Sequence, residues 1–212
     1  HECSSAASDV YKRQILVIDF DLFLSLSPIS LIFTFLIVVC SNIEVSYKSF
    51  ATIIFIFSLS IISEVIGVNY GLLFGSYYYG ENLGYSIYGV PLVIGLNWVV
   101  LTVSSGNIAS YLFENKYLSI FIGSLLMLIL DVIMEQVSGN IDFWYFHDDN
   151  LIFNYITWFI LGACNQYFYQ SLNYTKNLVI SVNVYISFIV FFEKIIHLTK
   201  IYNRKTLIIV IH

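Results

Sequence analysis

Six apolar runs, parted by short polar connections, fill the chain from Ile15 to Leu198. They cover about Ile15–Cys40, a stretch from Phe50 onward, Gly89–Ser105, Tyr117–Val137, Leu151–Leu172 and Leu178–Leu198. A helix needs about 20 consecutive apolar residues to cross a bilayer, and most of these runs have that length. Soluble domains average about 45–50% apolar and about 25% charged residues. Here 58% of 212 residues are hydrophobic and 11% are charged. The pattern predicts an all-α, polytopic transmembrane bundle of about six spans, with a seventh if the tail 199–212 belongs to a further helix. No length remains for a separate soluble domain.

Local signals refine the spans. Pro28 kinks or restarts the first helix, and because the clean apolar part Ile29–Cys40 is too short to cross alone, the span is expected to begin near Leu22. The second span has two readings. It runs as one tilted helix through Gly67, Gly71 and Gly75 to about Tyr77, or it stops near Gly67 and Tyr70–Tyr79 forms a re-entrant segment. Irregular backbone at that depth requires cover by protein or water. Gly80–Tyr88 and Ser138–Asn150 read as loops. The stretch 1–14, HECSSAASDVYKRQ, is polar and lacks a basic-then-apolar layout. It reads as a non-native leader ahead of a single transmembrane domain over 15–212 whose C-terminus is truncated.

Charge excludes several function classes. A net charge of −5 with no basic patch argues against nucleic acid as a partner. The connections after spans one, three and five hold Lys48, Lys116 and Lys176, and those after spans two and four hold no Lys or Arg. Positive-inside counting favours the lysine side as cytoplasmic, and the basic tail opposes it, so orientation stays open. The cysteines, Cys3, Cys40 and Cys164, show neither a disulfide framework nor zinc spacing, and read as buried small hydrophobes.

Within so apolar a chain the few buried acids are the candidates for chemistry. Glu64 lies about fourteen residues into the second span and Asp131 about as far into the fourth, which runs in the same direction. At ~1.5 Å per residue they reach similar depth. An intramembrane acid faces the bundle interior or a cavity. Gly67, Gly71 and Gly75 share the helix face of Glu64 and read as a close-packing stripe. Asp131 and Glu135 are one turn apart on one face, Cβ atoms roughly 5–6 Å apart. They suit divalent-cation binding, a proton donor–acceptor pair, or merely the interfacial end of a helix. Asn97 orients water or a carboxyl group, or bonds another helix. Trp98, Trp144 and Trp158 read as belt or packing residues, and His147, without matched ligand spacing, as interfacial. The 17 tyrosines and 18 phenylalanines suit a wall for a conjugated chain or simple filling of the bundle.

Several of these segments fall into one pattern: Glu64 and Gly67 with Gly71, Phe74, Gly75, Tyr77 and Tyr79, then Gly89–Val90–Pro91–Leu92 with Trp98, then Asp131 and Glu135, then Trp144, then Asn154 with Trp158. Over about 63–162 the chain resembles the integral-membrane carotenoid biosynthesis family that includes carotenoid 1′,2′-hydratases. It departs where Gln136 follows Glu135 in place of the proline often found there. The resemblance implies acid-catalysed hydration of the terminal C1′=C2′ double bond of an acyclic carotenoid end group through a tertiary cation. It implies Glu64, Asp131 and Glu135 as catalytic, and Tyr77, Tyr79, Asn97, Trp98, Trp144, Asn154 and Trp158 as substrate-binding. No cofactor or metal is implied. The partners are membrane lipid, a carotenoid and other enzymes of the pathway, and the location is a prokaryotic cytoplasmic membrane.

Competing readings remain. A lycopene-type cyclase starts with the same protonation but captures the cation with an internal double bond. A prenyltransferase needs more metal-binding carboxylates and nearby cations. A small transporter or assembly subunit would use Glu64 and Asp131 as a relay, and would gain support from an inverted repeat, which the sequence lacks. The four histidines, His1, His147, His197 and His212, are too scattered for the clustered boxes of a di-iron hydroxylase.

Overall fold

The computed structural model describes residues 22, 24–147, 152–172 and 177–210, with the backbone alone over 200–210. The leader 1–14, Lys176, and Asp148 and Asp149 of the second loop lie outside the described residues. Each of the six apolar runs contributes a helix: α1 (Ser27–Asn42), α2 (Tyr47–Tyr70), α3 (Leu92–Leu112), α4 (Lys116–Glu135), α5 (Ile152–Tyr169) and α6 (Leu178–Val210). α1 starts later than the expected Leu22, α3 runs past Ser105, and α6 continues unbroken over 199–210, so that stretch is not a separate seventh helix. Among the described residues, α2, α3, α4 and the Leu178–Thr199 part of α6 are long and apolar enough to cross a membrane, while α1 is shorter. The chain is therefore a mostly helical, membrane-type bundle, and among the described residues four of the helices are candidate spans. Its outer helices carry exposed Phe33, Leu36, Phe50 and Ile62, as lipid-facing surfaces do.

α3 is the axis of the bundle. It contacts α1, α2, α4, α5 and α6 and is buried along nearly its whole length. Its sequence explains the position. Gly95, Ser104, Ser105, Gly106 and Ala109 lie among its valines, and small residues let neighbouring helices come close where lipid supplies no hydrophobic drive. A Cβ on Gly95 would sit 2.6 Å from Phe57 of α2, and one on Gly106 2.6 Å from Gln166 of α5. Gly123 of α4 has the same role, with Gln166 2.8 Å from its would-be Cβ. The amide of Gln166 in turn donates to the Thr102 carbonyl at 3.0 Å.

A buried polar knot ties the end of the bundle away from the acids. Asn107 Nδ2 donates to Asn42 Oδ1 of α1 at 2.6 Å and to Ser181 Oγ of α6 at 2.8 Å. Tyr169 of α5 donates to Asn107 Oδ1 at 2.8 Å. Asn42 Oδ1 also accepts from the Asn177 backbone N–H at 2.8 Å.

The glycine stripe is corrected. α2 ends at Tyr70, and Gly71 caps it in the left-handed conformation at φ 64°, its N–H bonded to the Gly67 carbonyl at 2.8 Å. Gly75, at φ 89°, lies in the loop that follows. So Gly67, Gly71 and Gly75 do not share a helix face, and the shorter reading of this span holds. Helix-period spacing across a C-cap glycine mimics a packing stripe, because glycine is also the favoured residue for ending a helix.

Beyond Gly71 the chain turns back over the bundle. β1 (Tyr77–Tyr79) pairs antiparallel with β4 (Trp144–Phe146), Tyr77 opposite Phe146 and Tyr79 opposite Trp144. A second small ladder joins β2 (Ser86–Ile87) to β3 (Val90–Pro91), just ahead of α3. Neither stretch is the plain loop expected from sequence. Asp142 locks the larger ladder: its carboxylate accepts from the Glu81 N–H at 2.9 Å and from the Tyr145 hydroxyl at 2.9 Å.

Candidate functional site

Successive side chains of a strand point to opposite faces. Tyr77 and Tyr79 of β1 and Trp144 and Phe146 of β4 therefore share one face of the ladder, and it is turned onto the bundle, where all four line a small cavity. Tyr78 and Tyr145 stack on the other face with ring centroids 5.0 Å apart. The ladder is a roof, and its inward aromatic rings close the chamber beneath.

The floor comes from the helices. Glu64 of α2, 3% exposed, accepts three hydrogen bonds. Trp98 Nε1 donates to Oε1 at 3.0 Å, Tyr79 donates to Oε2 at 2.7 Å, and the Tyr77 hydroxyl lies in a short contact with the same oxygen. None of the three donors is charged, and no Lys or Arg occurs between Lys48 and Lys116. Gly67 makes this arrangement possible. A Cβ there would fall 2.8 Å from the Tyr77 hydroxyl and 2.9 Å from the Phe74 ring. The glycine one turn after Glu64 thus admits the returning tyrosine instead of a neighbouring helix.

Burial, and then the adjoining Glu64 carboxyl, push the phenols of Tyr77 and Tyr79 well above the ordinary tyrosine range. Both stay neutral, each keeping a proton to share with Glu64.

Asp131 of α4, 2% exposed, lines the same chamber as Glu64. Asn154 of α5 donates to its Oδ2 at 3.1 Å, and the same amide nitrogen contacts Glu135 Oε1. One side-chain amide thus bridges the two acids that the sequence places a turn apart. Trp158, one turn after Asn154, stacks on Trp98 with centroids 3.9 Å apart and planes 15° from parallel. Trp98 is fully buried, so these two tryptophans form a wall of the site and not an interfacial belt.

The chamber measures about 30 Å³. One probe sphere, about 10–15 Å³, is the least space that admits a water. Beside it lies an apolar cavity of about 320 Å³ between α1 and α6. Ile94, Asn97, Met134 and Trp144 line both, and mark the seam between them.

All the sequence-derived candidates except Glu135 and the loop glycines Gly71 and Gly75 either line this chamber or, like Gly67, shape it. Glu135 reaches it through Asn154. His147 sits apart, exposed beside the outer ring of Tyr78. Sequence reasoning missed Ile94 and Met134, ordinary apolar residues without a signal of their own. Among the described residues, no group of three or more His, Cys, Asp or Glu side chains gathers as a metal cluster.

The profile of the carotenoid biosynthesis protein family matches residues 26–211. The chain belongs to that family. The match extends well beyond 63–162 and takes in α1 and α6, so the apolar cavity between those helices lies within the family region. No curated protein and no solved structure matches the chain. Membership assigns the protein to carotenoid biosynthesis. It also fits a lipid setting and a hydrophobic substrate.

Proposed function

We propose that this protein adds water across the terminal C1′=C2′ double bond of an acyclic carotenoid end group. The observation that carries the reading is the pair of carboxyl groups from two helices, Glu64 and Asp131, facing one chamber with room for a water. In the proposed reaction the π electrons of the double bond take a proton from Glu64. A C2′–H bond forms and a tertiary cation remains at C1′. Tyr77, Tyr79 and Trp98 are placed to stabilise the carboxylate left on Glu64. That negative charge and the aromatic faces around the chamber stabilise the cation. Water attacks C1′ and gives its extra proton to Asp131, held in place by Asn154. Transfer of that proton back to Glu64 through water resets the site. The sum is one water added and no net oxidation or reduction. The small chamber, about 30 Å³, supports water rather than a folded chain end as the nucleophile, and so supports hydration over cyclisation.

The test is expression in cells that accumulate lycopene or γ-carotene, with pigments analysed by mass spectrometry. The expected product is heavier by one water, forms without O₂, and takes its oxygen from ¹⁸O-water alone. Glu64→Gln abolishes product at unchanged protein level. Asp131→Asn slows hydration and leaves carotenoid binding intact. Strict dependence on O₂ rejects hydration, and a cyclic isomer of unchanged mass assigns the protein to cyclisation.

A further inference from the structure

The large cavity has one polar landmark at its inner end. Asn97 is 7% exposed, lines the seam with the carboxyl chamber, and its Oδ1 has no hydrogen-bond partner among the described residues. A buried carbonyl oxygen without a donor is costly to maintain. A donor from a bound molecule or water would complete it. At the outer end the character changes. Ser30 of α1 and Ser187 of α6 are small, exposed and part of the lining. The wall hydroxyl of Thr34 is spent within its own helix, on the Ser30 carbonyl at 2.8 Å. Phe188, Phe191 and Phe192 of α6 supply the opposite wall. α1 and α6 touch one another little and rest instead on α3, and the exposed Ser30 and Ser187 flank the cavity between them. A volume of about 320 Å³ lies in the range of small-ligand pockets, roughly 300–1,000 Å³.

We propose that this cavity holds the isoprenoid chain of the substrate, which enters sideways from the bilayer between Ser30 and Ser187. The chain end then arrives at Asn97, whose free oxygen holds the reacting water at the mouth of the carboxyl chamber. The inference rests on the reading that the substrate is a carotenoid. It adds where the polyene lies and by which route it comes. The continuity of the two spaces through Ile94, Asn97, Met134 and Trp144 commits the cavity to the same molecule that meets Glu64. A phospholipid acyl chain in the same place is the competing occupant, and the experiment separates the two.

The full chain is purified in detergent from lycopene-accumulating cells. Bound lycopene is read by its visible absorbance and by the circular dichroism induced in a polyene held in a chiral pocket. Ser187→Trp is expected to lower bound lycopene roughly tenfold by filling the entrance. Because a bulky variant can fail to fold, Ser187→Cys is examined in parallel, in a chain with Cys3, Cys40 and Cys164 changed to Ala. With the unalkylated variant as its own reference, it is expected to lose bound lycopene after alkylation with a hydrophobic maleimide, and to be protected from alkylation by bound lycopene. Glu64→Gln is expected to retain lycopene and its induced dichroism without making product. If that variant and the wild type both bind lycopene and neither hydrates it, the reaction reading fails and the cavity assignment stands. Alkylated Ser187→Cys that binds and turns over lycopene like the unmodified protein overturns the assignment, even with hydration intact. Tightly held phospholipid that lycopene does not displace also overturns it.

Discussion

Glu64 is held by three neutral donors drawn from two later segments, and each donor makes a separate demand. Tyr77 and Tyr79 are pushed well above the ordinary phenol value near 10. The sign follows directly. In the unfolded chain these phenols ionise above about pH 10, while in the fold they keep their protons. Their contribution to stability is therefore complete below pH 10 and is lost as the pH rises beyond it. Spectrophotometric titration should find two tyrosines that ionise only with unfolding, and Tyr77→Phe should reduce the loss of stability above pH 10. Tyr77→Phe should also lower turnover more than binding, because it removes a donor from the charge left on Glu64 and keeps the ring. Two glycines separate by mechanism. Gly67→Ala drives a methyl against the Tyr77 hydroxyl, so activity should fall at least about tenfold, whereas overpacking alone costs about 1–3 kcal/mol. Gly71→Ala meets no close neighbour and carries only the left-handed backbone penalty, about 1–2 kcal/mol. Thermal denaturation and product yield, measured together on both variants, check the distinction.

The helices were legible in the sequence and the roof was not. Long apolar runs parted by short polar connections state their own rough limits, because the prohibition on exposed backbone acts locally. The roof is two three-residue strands that pair across more than sixty positions, and such a pairing leaves no periodicity to read. The tyrosines were visible as residues of a glycine-rich segment, but their Tyr-x-Tyr alternation acquires meaning only opposite Trp-x-Phe. The close-packing glycines were misplaced for a related reason: Gly95, Gly106 and Gly123 are isolated within their runs, while Gly67, Gly71 and Gly75 look regular. Gly123→Ala should therefore lower the melting temperature in detergent through its clash with Gln166, with a loss of about 1–3 kcal/mol. At the roof, Asp142→Ala removes the acceptor of Glu81 N–H and Tyr145 hydroxyl. Product yield should fall by a few-fold while the helical dichroism stays unchanged, since the bundle does not depend on that ladder.

The molecule divides its tasks between its ends. The end with Glu64, Asp131 and the roof is where the proposed chemistry takes place, and the end with Asn107, Asn42, Ser181 and Tyr169 holds four helices together. Asn107→Ala removes three buried hydrogen bonds and should cost about 1–3 kcal/mol. Turnover per folded molecule should remain near normal, the reverse of Glu64→Gln. The site's legibility follows the same division: carboxylates in an apolar chain announce themselves, whereas the cavity that faces them exists only once α1 and α6 have both settled on α3. The sequence spacing of the Glu64 donors also bears on how a cell makes this protein. The farthest of them, Trp98, follows Glu64 by only 34 residues. A nascent chain that has delivered α1, α2 and α3 to the membrane already carries every partner of its first buried acid. Asp131 must wait for Asn154, a residue of α5. Biogenesis thus shelters the two acids in turn, the first by its own neighbours and the second by a helix not yet synthesised. The interval between α4 and α5 is the stage at which a stalled chain would hold Asp131 without the Asn154 amide, at a cost that lipid does not offset.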